Sequence, residues 1–279
     1  MRRIVSGVDT VSVEHEPFGS VGYTRDFYWL LDGSMAPTGK EGKVVEYVKL
    51  LDKKLRENVR YVDTPKELLR EAIAAVDKEY KSRKKGRGRK PVWEPSASAV
   101  IAKVSKEKVE YAVLGTCSFR LEIANRCAEE TCSELPEIVR KEKSALTQLV
   151  HNGVSDNSIV MQRAKDAMIA EENKWRNKMD GFWIAATEPK AAEFALIGEE
   201  PIEEKEFTIT LASSGMDRLT DTFGGPSKID SLGDALLEQG GDKLLAELRK
   251  FEKLDTKADL TREYSEASFL VVKFSQEEI

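Results

Sequence analysis

Histidine and cysteine are scarce in this sequence: its 279 residues hold two histidines and three cysteines. The thiols Cys117, Cys127 and Cys132 cannot all pair within one chain, and none stands in the Cys-x-x-Cys spacing of a zinc site. A disulfide scaffold and a thiolate zinc centre are both excluded, and reduced thiols point to the cytoplasm. Long apolar runs are absent too. None approaches the roughly 18 residues of a membrane span, so no membrane partner is expected. Arg2 and Arg3 open the chain without a following apolar stretch or a small-residue cleavage site, which argues against export.

An excess of positive charge is also missing. The net charge is −5, so the molecule as a whole is not built to attract polyanions. One segment departs from this. From Lys81 to Lys90, seven of ten residues are basic: Lys81, Arg83, Lys84, Lys85, Arg87, Arg89 and Lys90. Nucleic acid would have to bind through this segment, but no aromatic side chains interleave it to stack on bases. A solvated loop is the favoured reading.

With 41% apolar and 33% charged residues, the composition suits a globular protein with an ionic surface, expected as one domain over residues 1–279. Residues 4–13 are β-branched in character. The run Phe27, Tyr28, Trp29, Leu30, Leu31 suits a buried strand ending in a turn at Asp32-Gly33-Ser34. Val44, Val48, Leu51, Leu55 and Val59 recur at steps of four and three, the stripe of an amphipathic helix. Thr64-Pro65-Lys66-Glu67 then supplies an N-cap, a first-turn proline and a capping-box glutamate for a second helix carrying Leu69, Ile73, Val76 and Tyr80. The two helices are expected to pair on a sheet.

Residues 97–104 and 108–115 read as a hairpin extended by 118–123. Residues 155–178 read as a helix with Ile159, Ala164, Ala167, Met168 and Trp175 inward, followed by a strand at 182–186. Further expectations are strands at 207–212 and 269–274 and helices at 216–223 and 232–251. Asp217 and Asp221 stand at i and i+4 and read as a solvated acidic helix start, while His151 reads as a helix-end cap. Hairpins interleaved with helix pairs indicate an α+β layered domain and lack the regular alternation of a dinucleotide binder.

Several short segments, in order, resemble signatures of the metal-dependent serine/threonine phosphatases of type 2C. They are Trp29-Leu30-Leu31-Asp32-Gly33-Ser34; Ser96-Ala97-Ser98-Ala99-Val100 with Leu114-Gly115-Thr116-Cys117-Ser118; Leu211-Ala212-Ser213-Ser214-Gly215; and Ser265-Glu266-Ala267-Ser268-Phe269. Gly181-Phe182-Trp183-Ile184-Ala185 and the following Pro189-Lys190-Ala191-Ala192-Glu193 are similar to a divergent bacterial branch. The resemblance implies two packed antiparallel β-sheets flanked by antiparallel helix pairs, an α-β-β-α sandwich. It also implies an edge where carboxylates hold two Mg²⁺ or Mn²⁺ ions that activate a water.

In this chain the implied carboxylates are mostly absent. Asp32 and the Gly33 carbonyl remain, but the matched aspartates are Thr116, Ser214 and Ser265. Glu16, with His15 beside it, is the nearest candidate for the family's early acidic pair, and Glu266 is a substitute ligand. Hydroxyls lack the negative charge that draws a hard dication from its water shell. No cofactor is expected, beyond a weak Mg²⁺ or Mn²⁺ at Asp32 and Gly33. The resemblance thus implies a pseudophosphatase serving as a protein-binding or regulatory module, whose former site edge holds Glu16, Asp32, Gly33, Thr116, Ser118, Ser213, Ser214, Ser265 and Glu266. The same edge supports a competing enzyme reading, with Cys117 as nucleophile, His15 as base and Glu16 or Asp32 as orienting carboxylate.

Overall fold

The computed structural model describes residues 2–8, 18–34, 41–83, 94–123, 126–131, 149, 152–155, 158–221, 223, 231–254 and 267–275. Its strands are β1 (Arg2–Val8), β2 (Gly19–Tyr23), β3 (Phe27–Gly33), β4 (Ala97–Val104), β5 (Lys108–Leu114), β6 (Ser118–Ile123), β7 (Arg126–Thr131), β8 (Leu196–Pro201), β9 (Glu206–Ala212) and β10 (Phe269–Ser275). The α-helices are α1 (Glu41–Asn58), α2 (Pro65–Arg83), α3 (Ile159–Trp175), α4 (Ser214–Asp221), α5 (Leu232–Gln239) and α6 (Gly241–Leu254). One sheet runs β2-β3-β4-β5-β8 and the other β1-β10-β9-β6-β7, with every pairing antiparallel.

Alternation along the strands builds the layers. Tyr28 and Leu30 of β3 and Val100 and Ala102 of β4 face the other sheet, where they meet Phe119, Leu121, Ile209, Leu211, Leu270 and Val272. Phe27, Trp29 and Leu31 of β3 point the opposite way and pack under Val44, Val48, Leu51 and Leu55 of α1 and Leu69, Ile73 and Val76 of α2. Each fully buried leucine or valine contributes about 1.5–3 kcal/mol. Ala97 and Ala99 sit on the helix-facing side of β4, where their small side chains let the helix pair approach. Trp29 adds a directional tie by donating from Nε1 to Asp52 Oδ1 of α1, at 2.8 Å.

The capping box at the start of α2 forms as its residue types predict: Glu67 N donates to Thr64 Oγ1, and Thr64 N donates to Glu67 Oε2, each at 3.2 Å. Five expectations are corrected. β6 does not extend the β4–β5 hairpin; it crosses to the other sheet and pairs with β7 and β9. Residues 182–186 form no strand, only isolated bridges from Ala185 to Ala97 and from Phe182 to Arg176. The helix expected over 232–251 breaks at Gly240, whose φ of +84° is left-handed, giving α5 and α6. In α3 Ala164, Met168 and Trp175 pack inward as expected, joined by Met161 and Ile169, whereas Ile159 is 73% exposed and Ala167 also faces water. β3 continues through Asp32 to Gly33 before any turn.

Against the second sheet lie α4, α5 and α6. Met216 and Leu219, Leu232, Ala235 and Leu236, and Leu244 and Leu248 pack there with Ala212, Phe269 and Val271. The architecture is an α+β sandwich of two antiparallel sheets between helical layers. No helix among the described residues is long and apolar enough to cross a membrane.

Candidate functional site

One end of the sandwich gathers the residues that the sequence singles out. In the first sheet Asp32, at the end of β3, lies between Gly19 of β2 and Ser98 of β4 in the pairing register. In the second sheet Ser118, at the start of β6, lies opposite both Thr131 and Ala212, and Ala212 pairs with Phe269 of β10. At this end the chain passes from one sheet to the other through Gly115-Thr116-Cys117, three residues between β5 and β6. Gly115 is required there: its φ is +85°, and a Cβ would stand 2.4 Å from Ser98 Oγ. Asp32, Gly33, Thr116, Cys117, Ser118, Ser213 and Ser214 therefore sit on strand ends at one edge. His15, Glu16, Ser265 and Glu266 lie outside the described residues, as do Cys132, His151 and residues 84–90 of the basic segment.

Most hydroxyls at this edge are engaged with one another and with the backbone, while Ser268 Oγ is buried without a hydrogen-bond partner among the described residues. Ser98 Oγ lies 3.2 Å from Thr116 Oγ1 and accepts the Thr116 amide at 3.0 Å. Ser34 Oγ lies 2.6 Å from Ser96 Oγ. Ser213 is fully buried, and its Oγ accepts the Ser268 amide at 2.9 Å, which joins β9 to β10 just before α4 begins. Ser214 is exposed on the first turn of α4. Gly33 donates its amide to Phe18 at 3.0 Å, and a Cβ at this position would be 2.5 Å from Val44, so the strand end packs closely on α1.

Asp217 changes the charge balance at this edge. The sequence places it on a solvated helix start, but it is buried on the inner face of α4. Ser118 Oγ donates to its Oδ1 at 2.9 Å, and Arg120 Nη1 donates to the same oxygen at 2.5 Å. Arg120 also reaches Ser118 Oγ at 2.8 Å and, through Nη2, Glu129 Oε1 at 2.5 Å. Burial raises the Asp217 carboxyl above its ordinary value even though Arg120 and Ser118 pull it down. The cost of removing this charge from water exceeds what its partners return.

Cys117 has the surroundings of a packing residue. It is fully buried within the core between the sheets. Burial pushes its thiol well above the ordinary range, and the negative charges of Asp32 and Asp217 push the same way. Thiolate nucleophiles need the opposite, a cation or helix N-terminus that stabilises S⁻.

A two-metal centre requires several oxygens of negative charge converging on one volume. Among the described residues no group of three or more His, Cys, Asp or Glu side chains is placed to hold an ion. Asp32 contributes one carboxylate, Asp217 is committed to a guanidinium, and the hydroxyls of Thr116 and Ser213 have neighbours of their own. The described donor set does not fit a pair of Mg²⁺ or Mn²⁺ ions. Sequence reasoning missed Arg120 and its partners, although the alternation Ser118-Phe119-Arg120-Leu121-Glu122-Ile123 marks every second residue of β6 as polar.

No family model matches the sequence, and no curated protein matches it. Solved structures do match. The catalytic domain of the serine/threonine phosphatase PstP, solved with two manganese ions, superposes with a TM-score of 0.53 at 11% identity, over 99% of this chain and 98% of that one. Stp1 from Staphylococcus aureus gives 0.54 at 13% identity, over 99% and 95%. A bacterial serine phosphatase gives 0.56 at 14% identity, over the full length of both chains. At such identities the likeness speaks for architecture, and the architecture of this chain is that of the PPM-type serine/threonine phosphatases.

Proposed function

We propose that this chain is a pseudophosphatase, a phosphatase-fold domain spanning residues 1–279 that serves in the cytoplasm as a protein-binding or regulatory module. The observation that carries this reading is the hydrogen bonding of the edge. Ser98 and Thr116 face each other at 3.2 Å, and Arg120 holds the one buried carboxylate of α4, at 2.5 Å. Most of the edge's described polar groups are engaged from within, Ser268 Oγ being the buried exception. A dication would have to compete with a guanidinium for Asp217 and would find neutral oxygens at Thr116 and Ser213. Asp32 and the Gly33 carbonyl support at most one weakly held Mg²⁺ or Mn²⁺.

Hydrolysis of p-nitrophenyl phosphate across a Mn²⁺ series, with calorimetry of Mn²⁺ uptake, tests this. Turnover at the level of buffer, with no uptake or one weak site lost in Asp32→Ala, is the expected result. Turnover that rises with Mn²⁺ and disappears in Asp32→Ala overturns the proposal.

A further inference from the structure

Helix α3 carries a second ordered stripe of side chains, on the side away from the core. Ser158 caps the helix by accepting the Met161 amide at 3.1 Å, so its first turn is fixed. Met161, Met168 and Ile169 face the core shared with α1 and α2. On the opposite side Ile159, Arg163, Asp166 and Ala170 recur at steps of four, three and four, and all four are exposed. Val160 and Ala167 flank them and are exposed as well. Of the six large apolar side chains exposed among the described residues, only Ile159 and Val160 adjoin in the chain, at 73% and 55% exposure. Single apolar residues at a surface are ordinary, whereas two of them on a seam of this spacing mark a helix that meets another helix.

The order of residues along the seam says which helix. It reads large, positive, negative, small: Ile159, Arg163, Asp166, Ala170. Turned end for end, this seam is its own complement. A second α3 laid antiparallel, with the twofold axis between positions 164 and 165, sets Arg163 against the partner's Asp166 and Ile159 against the partner's Ala170, and each contact occurs twice. Neither Arg163 nor Asp166 has an ion-pair partner among the described residues of its own chain. Ala167 and Ala170 keep the surface low, which lets the helix axes approach to about 8 Å and seats Ile159 and Val160 on the facing alanines. We propose that α3 is the contact of a weak twofold dimer of this chain, paired antiparallel with its counterpart.

The open edge of β8 suits a second copy less well, because its Glu199 and Glu200 would bring like charges together. The size of the α3 face sets the strength of the pairing. One helix face is smaller than the ~800 Å² that each partner buries in a standard complex. Dissociation constants of roughly micromolar to millimolar follow. α3 also leads directly into Arg176, whose Nη1 donates to the Glu94 carbonyl at 2.8 Å, two residues before Ser96 of the site edge. The second copy therefore sits on an element tied to that edge. The pairing does not depend on the edge's lack of phosphatase activity, and the two are measured separately.

Sedimentation of the intact chain from about 10 µM to about 1 mM tests this, together with the charge reversals Arg163→Glu and Asp166→Arg. The intact chain should pass from monomer toward dimer across the range. Each reversal sets like charges opposite each other twice, so each alone should weaken association by about tenfold or more. An equal mixture of the two variants restores opposite charges at both contacts and should form dimer more readily than either variant alone. That recovery requires both variants to be folded, which circular dichroism checks directly. An intact chain that stays monomeric at the top of the range overturns the inference and leaves the stripe to a different protein. A dimer that both reversals leave unchanged overturns it too, since the contact would then lie elsewhere, as does a mixture no better than its components.

Discussion

The Arg120–Asp217 pair offers the most direct test of how this fold is held near its site edge. Both side chains are nearly out of water, at 5% and 12% exposure, and they meet at 2.5 Å. Removing one partner of such a pair strands the other, at a cost of about 3–5 kcal/mol. The two losses should differ. Asp217→Leu leaves a guanidinium that cannot shed its proton and keeps as counter-charges Glu129, itself 47% exposed, and the more distant Asp221, so the larger cost is expected here. Arg120→Met leaves Asp217, which can take a proton. Its cost should lie at the lower end near neutral pH and shrink on acidification, because a carboxyl raised further by losing its cation stabilises only below its folded value.

Replacing the whole set gives the opposite outcome. In Ser118→Ala, Arg120→Met, Asp217→Leu no buried polar atom of the network is left unpartnered, and Glu129 is free to turn to solvent. Burial already outweighs the partners of Asp217. The triple variant should therefore be as stable as the parent or more so, as apolar replacements of buried ion pairs often are. Urea unfolding at pH 5 and pH 8, read by circular dichroism, measures all three. Single-variant costs below about 1 kcal/mol would show that water reaches the pair and that this reasoning is wrong. A triple variant no better than the worst single variant would refute it equally.

Two further outcomes follow from the same edge. Iodoacetamide should label the native chain to the same extent with or without Cys117→Ala, and the two should differ by one thiol only in urea; native labelling that falls by one in the variant would restore Cys117 as a nucleophile. Gly115→Ala should cost about 2 kcal/mol or more, because a left-handed φ is strained for alanine by roughly 1–2 kcal/mol and the methyl collides with Ser98; an unchanged urea midpoint would show that the turn relaxes freely.

How far the sequence disclosed this structure depends on where each element takes its instructions. The α1–α2 pair was legible because local signals agree: an apolar stripe at steps of three and four, a capping box and a first-turn proline all favour the same helices. β3 was legible from its apolar run. β8 was not, since Leu196-Ile197-Gly198-Glu199-Glu200-Pro201 has little strand propensity and owes its conformation to pairing with β5. Residues 182–186 mislead in the other direction. They have the apolar run of a strand, but Gly181 is pressed so close to the Trp175 carbonyl that a Cβ would stand 1.8 Å from it, and the chain is held in a turn.

The site was half legible for a similar reason. Strand-end motifs announce which residues meet at an edge, so Asp32, Thr116, Ser118 and Ser213 are found together. What those residues do there depends on partners distant in sequence. Asp217 looks solvated from its helix alone, because nothing local reveals that a guanidinium 97 positions away lies beneath it. Alternation along β6 does show a polar face, and the ordinary inference from alternation is that such a face meets water. Here it meets helices.

That inversion separates the two helical layers physically. The α1–α2 pair packs on its sheet through an apolar stripe, so its stability should respond to the size of core side chains and little to pH. Over the second sheet the apolar contacts run along β9 and β10, while β6 presents Ser118, Arg120 and Glu122 to α4 and α5. A further ion triad buries Glu252 of α6 between Arg218 of α4 and Arg249, at 2.9 and 2.6 Å. Such groups are directional, so they fix where the helices sit more sharply than they stabilise them, and protons can act on them. The Ser118–Arg120–Asp217 and Arg218–Glu252–Arg249 networks place the chain's buried charge in the helical layer beside the site edge. Loss of those charges should therefore disturb α4 and α6 while the α1–α2 half keeps its packing.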